Sequence, residues 1–105
     1  MKKNIIILFL LICTSFIAGA QNAVISADSL NTLSVEMRQT DSETSLKLAR
    51  AAFTISSQQN DTSTMAASLI NIGLTQYFLS EYNEALASFK KSYRYYQSLG
   101  HRAGM

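Results

Sequence analysis

The sequence repeats its chemical pattern with a period of 40 residues, and this repeat constrains the fold more than any other feature. Residues 29–65 align without a gap to residues 69–105. Few positions are identical, but residue character is kept: Leu46 aligns with Leu86, and Phe53 aligns with Tyr93. Chance similarity between amphipathic helices is the alternative explanation. A repeat of this length predicts one supersecondary unit stacked on a second unit of the same kind.

Each repeat is predicted to form two helices, because apolar residues recur at helical spacing and the chain has no proline. In the first repeat the helices are expected at residues 26–39 and 42–59, with a turn near Thr40-Asp41. In the second, Asp61 or Thr62 caps a helix, residues 80–83 form a turn, and the next helix ends at Leu99-Gly100. The predicted buried positions are Leu46, Ala49, Ala52, Phe53, Met65, Leu69, Ile72, Gly73, Gln76, Tyr77, Ala85, Phe89, Ser92, Tyr93 and Tyr96.

Two residues of the pattern predict particular local structures. Gly73 lies inside a predicted helix, where glycine costs about 1 kcal/mol relative to alanine. We therefore expect a neighbouring helix to approach closely there, with Phe89 or Ala85 filling the space, although a tolerated glycine without a packing role is the alternative. Asn60 aligns with Gly100, and both residue types tolerate the left-handed conformation that ends helices.

The N-terminus has the three-part pattern of a secretory signal peptide. Lys2 and Lys3 precede an apolar run at residues 5–17, and Ala18-Gly19-Ala20 offers a cleavage site. We expect export to the periplasm or the exterior after cleavage near Ala20; a retained membrane anchor is the alternative. Removing the two lysines from nine basic residues leaves seven, against seven acidic ones. A chain with no net charge has no overall electrostatic field that would attract nucleic acid or anionic lipid.

Residues suited to catalysis or metal binding are sparse. His101 is the single histidine, and it is expected in a turn. Cys13 is the single cysteine, and cleavage of the predicted signal peptide would remove it. No catalytic, cofactor-binding or metal site is predicted. The segment FKKSYRYYQ, residues 89–97, mixes basic and aromatic residues, but on a helix most of the aromatic side chains would face the core. We therefore predict neither an enzyme nor a nucleic-acid partner.

The segment LINIGLTQYFLSEYNEALASF, residues 69–89, resembles a tetratricopeptide repeat (TPR). The residues at the characteristic positions of that family are Leu69, Ile72, Gly73, Ala85 and Phe89. The sequence departs from the family at Gln76, where an aromatic residue is usual, at Ser92, where alanine is usual, and in lacking a closing proline. Its period of 40 residues also exceeds the classical value of about 34. The resemblance implies an all-α, right-handed α-solenoid of antiparallel helix pairs.

The predicted organisation follows from the repeat and the resemblance. It comprises a signal peptide at 1–20, a short linker at 21–25, a first repeat at 26–64, a second at 65–100, and the start of a truncated third repeat at 101–105. A stacked repeat leaves one apolar face open. We therefore predict a fragment of a longer solenoid protein. The alternatives are a small two-repeat protein with a frayed tail, or one that self-associates through its C-terminal repeat face.

The resemblance further implies a groove that binds a protein or peptide segment. The expected lining positions lie on the first helix of each repeat: Asn31, Ser34, Glu36, Arg38, Asn71, Leu74, Thr75 and Phe78. The favoured hypothesis is an exported, non-catalytic protein-interaction module. The alternative is the sensory N-terminal region of a larger membrane signalling protein, such as a histidine kinase, which would require a downstream span.

Overall fold

The structure is a computed structural model that describes residues 26–102. These residues form four α-helices joined by short turns. The helices are α1 (Ala27–Met37), α2 (Ser42–Gln58), α3 (Thr62–Phe78) and α4 (Tyr82–Arg102). The predicted signal peptide, the linker at 21–25 and residues 103–105 lie outside this range. None of these four helices is both long and apolar enough to cross a membrane. The predicted all-α fold class is confirmed for the described residues.

Three helices begin at side chains that accept hydrogen bonds from their own first turn. Asp41 accepts from the backbone N–H of Thr44 at 3.1 Å, and Asp61 accepts from that of Thr64 at 3.2 Å. Ser26 caps α1 in the same way. The threonine hydroxyls also donate to these carboxylates, and the two hydrogen bonds together lower the pKa of each aspartate. The predicted cap at Asp61 is confirmed.

Helices α2 and α3 end at residues in the left-handed region. Asn60 has φ 54° and Ser80 has φ 63°. At the end of α2, the backbone N–H of Asp61 donates to the carbonyl of Ser56 at 2.9 Å, and that of Asn60 donates to the carbonyl of Ser57 at 3.2 Å. These two hydrogen bonds form a Schellman motif. The left-handed conformation expected at Asn60 is confirmed. The turn predicted at residues 80–83 is wrong in its second half, because α4 already begins at Tyr82.

Replacing Ser80 with glycine is expected to stabilise the fold by about 0.5 to 1 kcal/mol. A side chain in the left-handed region costs about 1 to 2 kcal/mol, whereas glycine loses more backbone entropy on folding. At Ser80 the cost of holding a side chain in the left-handed region is the larger of the two, since φ is 63°. Chemical denaturation of both proteins measures the change. The matched control is Ala87→Gly on the exposed side of α4, where glycine should instead cost about 1 kcal/mol.

Each helix packs on the next in the chain, and α1 also contacts α3. The apolar centre lies between α2 and α3, where Leu46 and Ala49 meet Leu69 and Ile72. Three partly buried residues pack against this cluster, namely Phe53, Leu79 and Tyr95. Leu46, Ala49 and Ala52 are buried as predicted in α2, whereas Phe53 is only partly buried. Leu69 and Ile72 are confirmed as buried in α3.

Gly73 lies where a side chain of α4 approaches α3 closely. A Cβ atom on Gly73 would stand 2.6 Å from Cε1 of Phe89, closer than van der Waals contact allows. The predicted packing role of Gly73 is confirmed, and of the two expected partners it is Phe89 whose ring fills the space. Gln76, one turn further along α3, is buried and accepts a hydrogen bond from Ser88 at 2.7 Å. This contact explains a polar residue where the TPR pattern has an aromatic one.

Three predicted core tyrosines are exposed instead. The exposed fractions are 59% for Tyr77, 64% for Tyr93 and 42% for Tyr96. Tyr77 makes an edge-on contact with Tyr82 at the outside of the turn, with ring centroids 5.4 Å apart. Tyr93 and Tyr96 lie on α4, and no described element packs over that side. The predicted helix stop at Leu99-Gly100 is also wrong, because α4 continues to Arg102.

Candidate functional site between α1 and α3

A chain of polar side chains links α1 to α3. Arg38 donates from Nη2 to Oδ1 of Asn71 at 3.0 Å. Asn71 donates from Nδ2 to Oδ1 of Asn31 at 3.1 Å, and Asn31 donates from Nδ2 to Oγ of Ser68 at 3.0 Å. The two asparagines occupy the same position of the 40-residue repeat, so the repeat itself brings them together. We call these four residues the polar array.

Arg38 is the charged member of the polar array and is incompletely satisfied. Its side chain is half-buried, and its Nε–H is buried without a hydrogen-bond partner in the described structure. Desolvation lowers the pKa of Arg38, and no neighbouring carboxylate is among the causes of the shift. A desolvated cation without a counter-ion is unfavourable. The polar array therefore has a position where an anionic group would be stabilised.

Exposed apolar side chains lie beside the polar array on the same helices. Val35 is one turn before Arg38 on α1 and is 50% exposed, while Phe78 ends α3 and is 51% exposed. Leu74, between Asn71 and Phe78 along α3, is half-buried. A ligand over this surface could therefore place an anionic group at Arg38 and an apolar group beside it.

Two predicted lining residues do not face an open surface. Ser34 and Thr75 have no exposed surface and point instead toward α2. Ser34 Oγ donates to the carbonyl of Ser45 at 2.9 Å, and Ser45 Oγ donates to the carbonyl of Ser34 at 2.6 Å. Ser45 Oγ is also 3.0 Å from Oγ1 of Thr75. These three residues form a hydroxyl cluster that joins α1, α2 and α3.

The remaining predicted lining residues divide between the polar array and its surroundings. Asn31, Arg38 and Asn71 are brought together, whereas Glu36 is exposed and takes no part in the hydrogen bonds of the array. Sequence reasoning missed Ser68 and Val35. Helical spacing could have identified Val35, because it lies four residues after Asn31 and three before Arg38.

No family model, curated protein or solved structure was found to match the chain. Function is therefore inferred from the geometry of the described residues. Within that geometry, the half-buried guanidinium of Arg38 is the group whose hydrogen bonds are incomplete among the described residues.

Proposed function

We propose that the chain is an exported, TPR-like interaction module that binds a carboxylate-bearing peptide segment across α1 and α3, without catalysis. The proposal rests on the half-buried guanidinium of Arg38, which donates to Asn71 and whose Nε–H has no hydrogen-bond partner among the described residues. A guanidinium presents its N–H groups in a planar fork that matches a carboxylate. Export follows from the pattern of residues 1–20 and remains a prediction.

The polar array is suited to hold Arg38 in place for such a ligand. Asn71 fixes one edge of the guanidinium through Nη2, and the hydrogen bond to Asn31 orients the Asn71 amide in turn. Pre-ordering of this kind reduces the entropy that a ligand would otherwise lose on binding. Each asparagine amide also keeps one further N–H that could donate to a peptide carbonyl.

The helix pairing supports the solenoid part of the proposal. The starts of α2 and α4 are 40 residues apart, as the repeat predicts, and the turns before them are short. Short connections between helices favour antiparallel neighbours. The contact between α1 and α3 is the contact that first helices of successive repeats make in a stacked array.

Arg38→Gln is expected to weaken binding of an acidic peptide by about tenfold or more. The reason is the loss of the ion pair between the Arg38 guanidinium and a peptide carboxylate in a partly desolvated site. The probe is a short fluorescent peptide of alternating leucine and glutamate, compared with the matched leucine–glutamine peptide. Fluorescence anisotropy should show tighter binding of the glutamate peptide, and Arg38→Gln should remove most of that preference.

The matched control is Arg50→Gln, which removes an equal charge from an exposed position on α2. It should leave binding of the glutamate peptide nearly unchanged. Equal losses in both variants would mean that the peptide responds to net charge and that Arg38 is not its site. Thermal melts of both variants establish that the fold is intact.

A further inference from the structure

A second surface, on α4, combines exposed aromatic and basic side chains. Leu86 is 53% exposed, Tyr93 is 64% exposed and Tyr96 is 42% exposed, with the half-buried Phe89 among them. We call these four residues the α4 strip. They recur at spacings of three and four residues, so they follow one side of the helix. A contiguous exposed apolar strip of this kind marks an interaction site.

The repeat indicates what the α4 strip can receive. Leu86, Phe89 and Tyr93 occupy in α4 the positions that Leu46, Ala49 and Phe53 occupy in α2. In α2 those three residues contact a helix, because they pack against Leu69 and Ile72 of α3.

The burial of the two sets differs sharply. Leu46 is only 8% exposed and Ala49 is fully buried, whereas Leu86 is 53% exposed. The α4 strip therefore has the position and spacing of a helix-binding face. Helix α3 contacts it at Phe89, but no described helix covers the exposed Leu86 and Tyr93.

Basic residues border the α4 strip and restrict what could cover it. Lys90 and Arg94 line an open groove of ≈ 400 Å³ together with Phe89, Tyr93 and Gln97. Both cations lie on one side of α4, one turn apart. No described carboxylate is among the residues that line this groove. A partner with carboxylates along its edge would complement this charge.

A second copy of the chain fits the α4 strip poorly. If two α4 strips packed antiparallel around a two-fold axis, Lys90 and Arg94 of both copies would lie along the same edge of the contact, where like charges repel. Helix α1 of a second copy is no better suited. Its exposed Ser29 and Thr32 occupy the repeat positions of Leu69 and Ile72, so α1 lacks the apolar stripe that α3 offers to α2.

We propose that the α4 strip binds an amphipathic helix of another protein, which has an apolar stripe like that of α3 and carboxylates along one edge. This surface is independent of the polar array, since the two lie on different helices and share no residue. The proposal therefore goes beyond peptide binding between α1 and α3, and each can fail without the other.

The experiment uses two synthetic helices based on α3. Both keep the sequence of Thr62–Phe78, and three positions away from Leu69 and Ile72 are changed. In the acidic peptide Ser63, Ala67 and Leu74 become glutamate, and in the basic peptide the same positions become lysine. Binding to the purified chain is measured by fluorescence anisotropy at low and at physiological salt, since salt weakens charge attraction between exposed groups.

The acidic peptide is expected to bind about tenfold or more tightly than the basic one. Tyr93→Glu, and separately the double change Lys90→Glu with Arg94→Glu, should each weaken the acidic peptide by about tenfold or more. The matched control is Arg50→Glu, because Arg50 is the exposed α2 residue at the repeat position of Lys90. It should have little effect, and so should Arg38→Gln, which perturbs the polar array alone.

Four results would overturn the proposal. One is equal binding of the acidic and basic peptides, and another is binding that survives both sets of α4 changes. The third is a dimer, seen by analytical ultracentrifugation, that Tyr93→Glu dissociates, because a second copy would then be the occupant. Binding that is lost only in Arg38→Gln would assign the acidic peptide to the polar array and would also reject the α4 strip.

Discussion

Replacing Gly73 with leucine is expected to lower the free energy of unfolding by about 3 kcal/mol, which is the upper part of the range for overpacked cores. Even a Cβ atom at this position would lie 2.6 Å from Cε1 of Phe89 and 2.8 Å from Cδ1. Leucine adds three further carbons to that contact. The gain in helix propensity over glycine, about 0.8 kcal/mol, is too small to offset the clash. Urea denaturation followed by circular dichroism measures the loss.

Phe89 is the specific cause of this loss, and a double-mutant cycle can establish it. In a Phe89→Ala background the ring is absent, so Gly73→Leu should cost less than about 1 kcal/mol or become stabilising. The control is Ser63→Leu at an exposed position of the same helix, which should change stability by less than about 0.5 kcal/mol. If Gly73→Leu is as harmful without the ring as with it, the close approach of α3 and α4 does not depend on Phe89.

The features that sequence alone predicted are those fixed by local geometry and by the repeat. The cap at Asp61, the left-handed Asn60 and the space beside Gly73 each favour a few residue types, so the residue indicates the structure. The pairing of Asn31 with Asn71 was implicit in the 40-residue register, although the hydrogen bond between them could not be foreseen.

The features that sequence did not predict depend on how helices are placed around one another. Tyr93 fits a core pattern by spacing, but burial also requires a neighbour, and no described helix lies over it. Ser34 and Thr75 looked like groove residues because they are polar and follow Asn31 and Asn71 at helical spacing. They are buried because the hydroxyl of each forms a hydrogen bond with the hydroxyl of Ser45 on α2. Hydrogen bonds between residues far apart in the sequence cannot be predicted from a local pattern.

The hydroxyl cluster leads to the second large prediction, which concerns Ser45. Its Oγ lies at the centre of the cluster, 3.0 Å from both Ser34 Oγ and Thr75 Oγ1, and all three residues have no exposed surface. Ser45→Ala is expected to lower the free energy of unfolding by about 2 kcal/mol, because the Thr75 hydroxyl loses a partner in a site that water does not reach. Thermal and urea denaturation should agree on the size of the loss.

Removing the other hydroxyls as well should restore stability. The triple variant with Ser34→Ala, Ser45→Ala and Thr75→Val has no unpaired hydroxyl in the cluster and keeps the shape of the Thr75 side chain. It is expected to be more stable than Ser45→Ala alone and to fall within about 1 kcal/mol of the unchanged chain. Ser57→Ala, at an exposed position of α2, serves as the control for the serine-to-alanine change itself.

A triple variant less stable than Ser45→Ala would show that each hydroxyl contributes favourably on its own. The hydrogen bonds from Ser34 and Ser45 to each other's backbone carbonyls would then be net stabilising, as a direct tie between α1 and α2. A restored triple variant would mean that apolar contact alone can hold the three helices. The role of the hydroxyls would then be to favour the observed register of α1 on α2, in which Ser34 and Ser45 donate to each other's carbonyls.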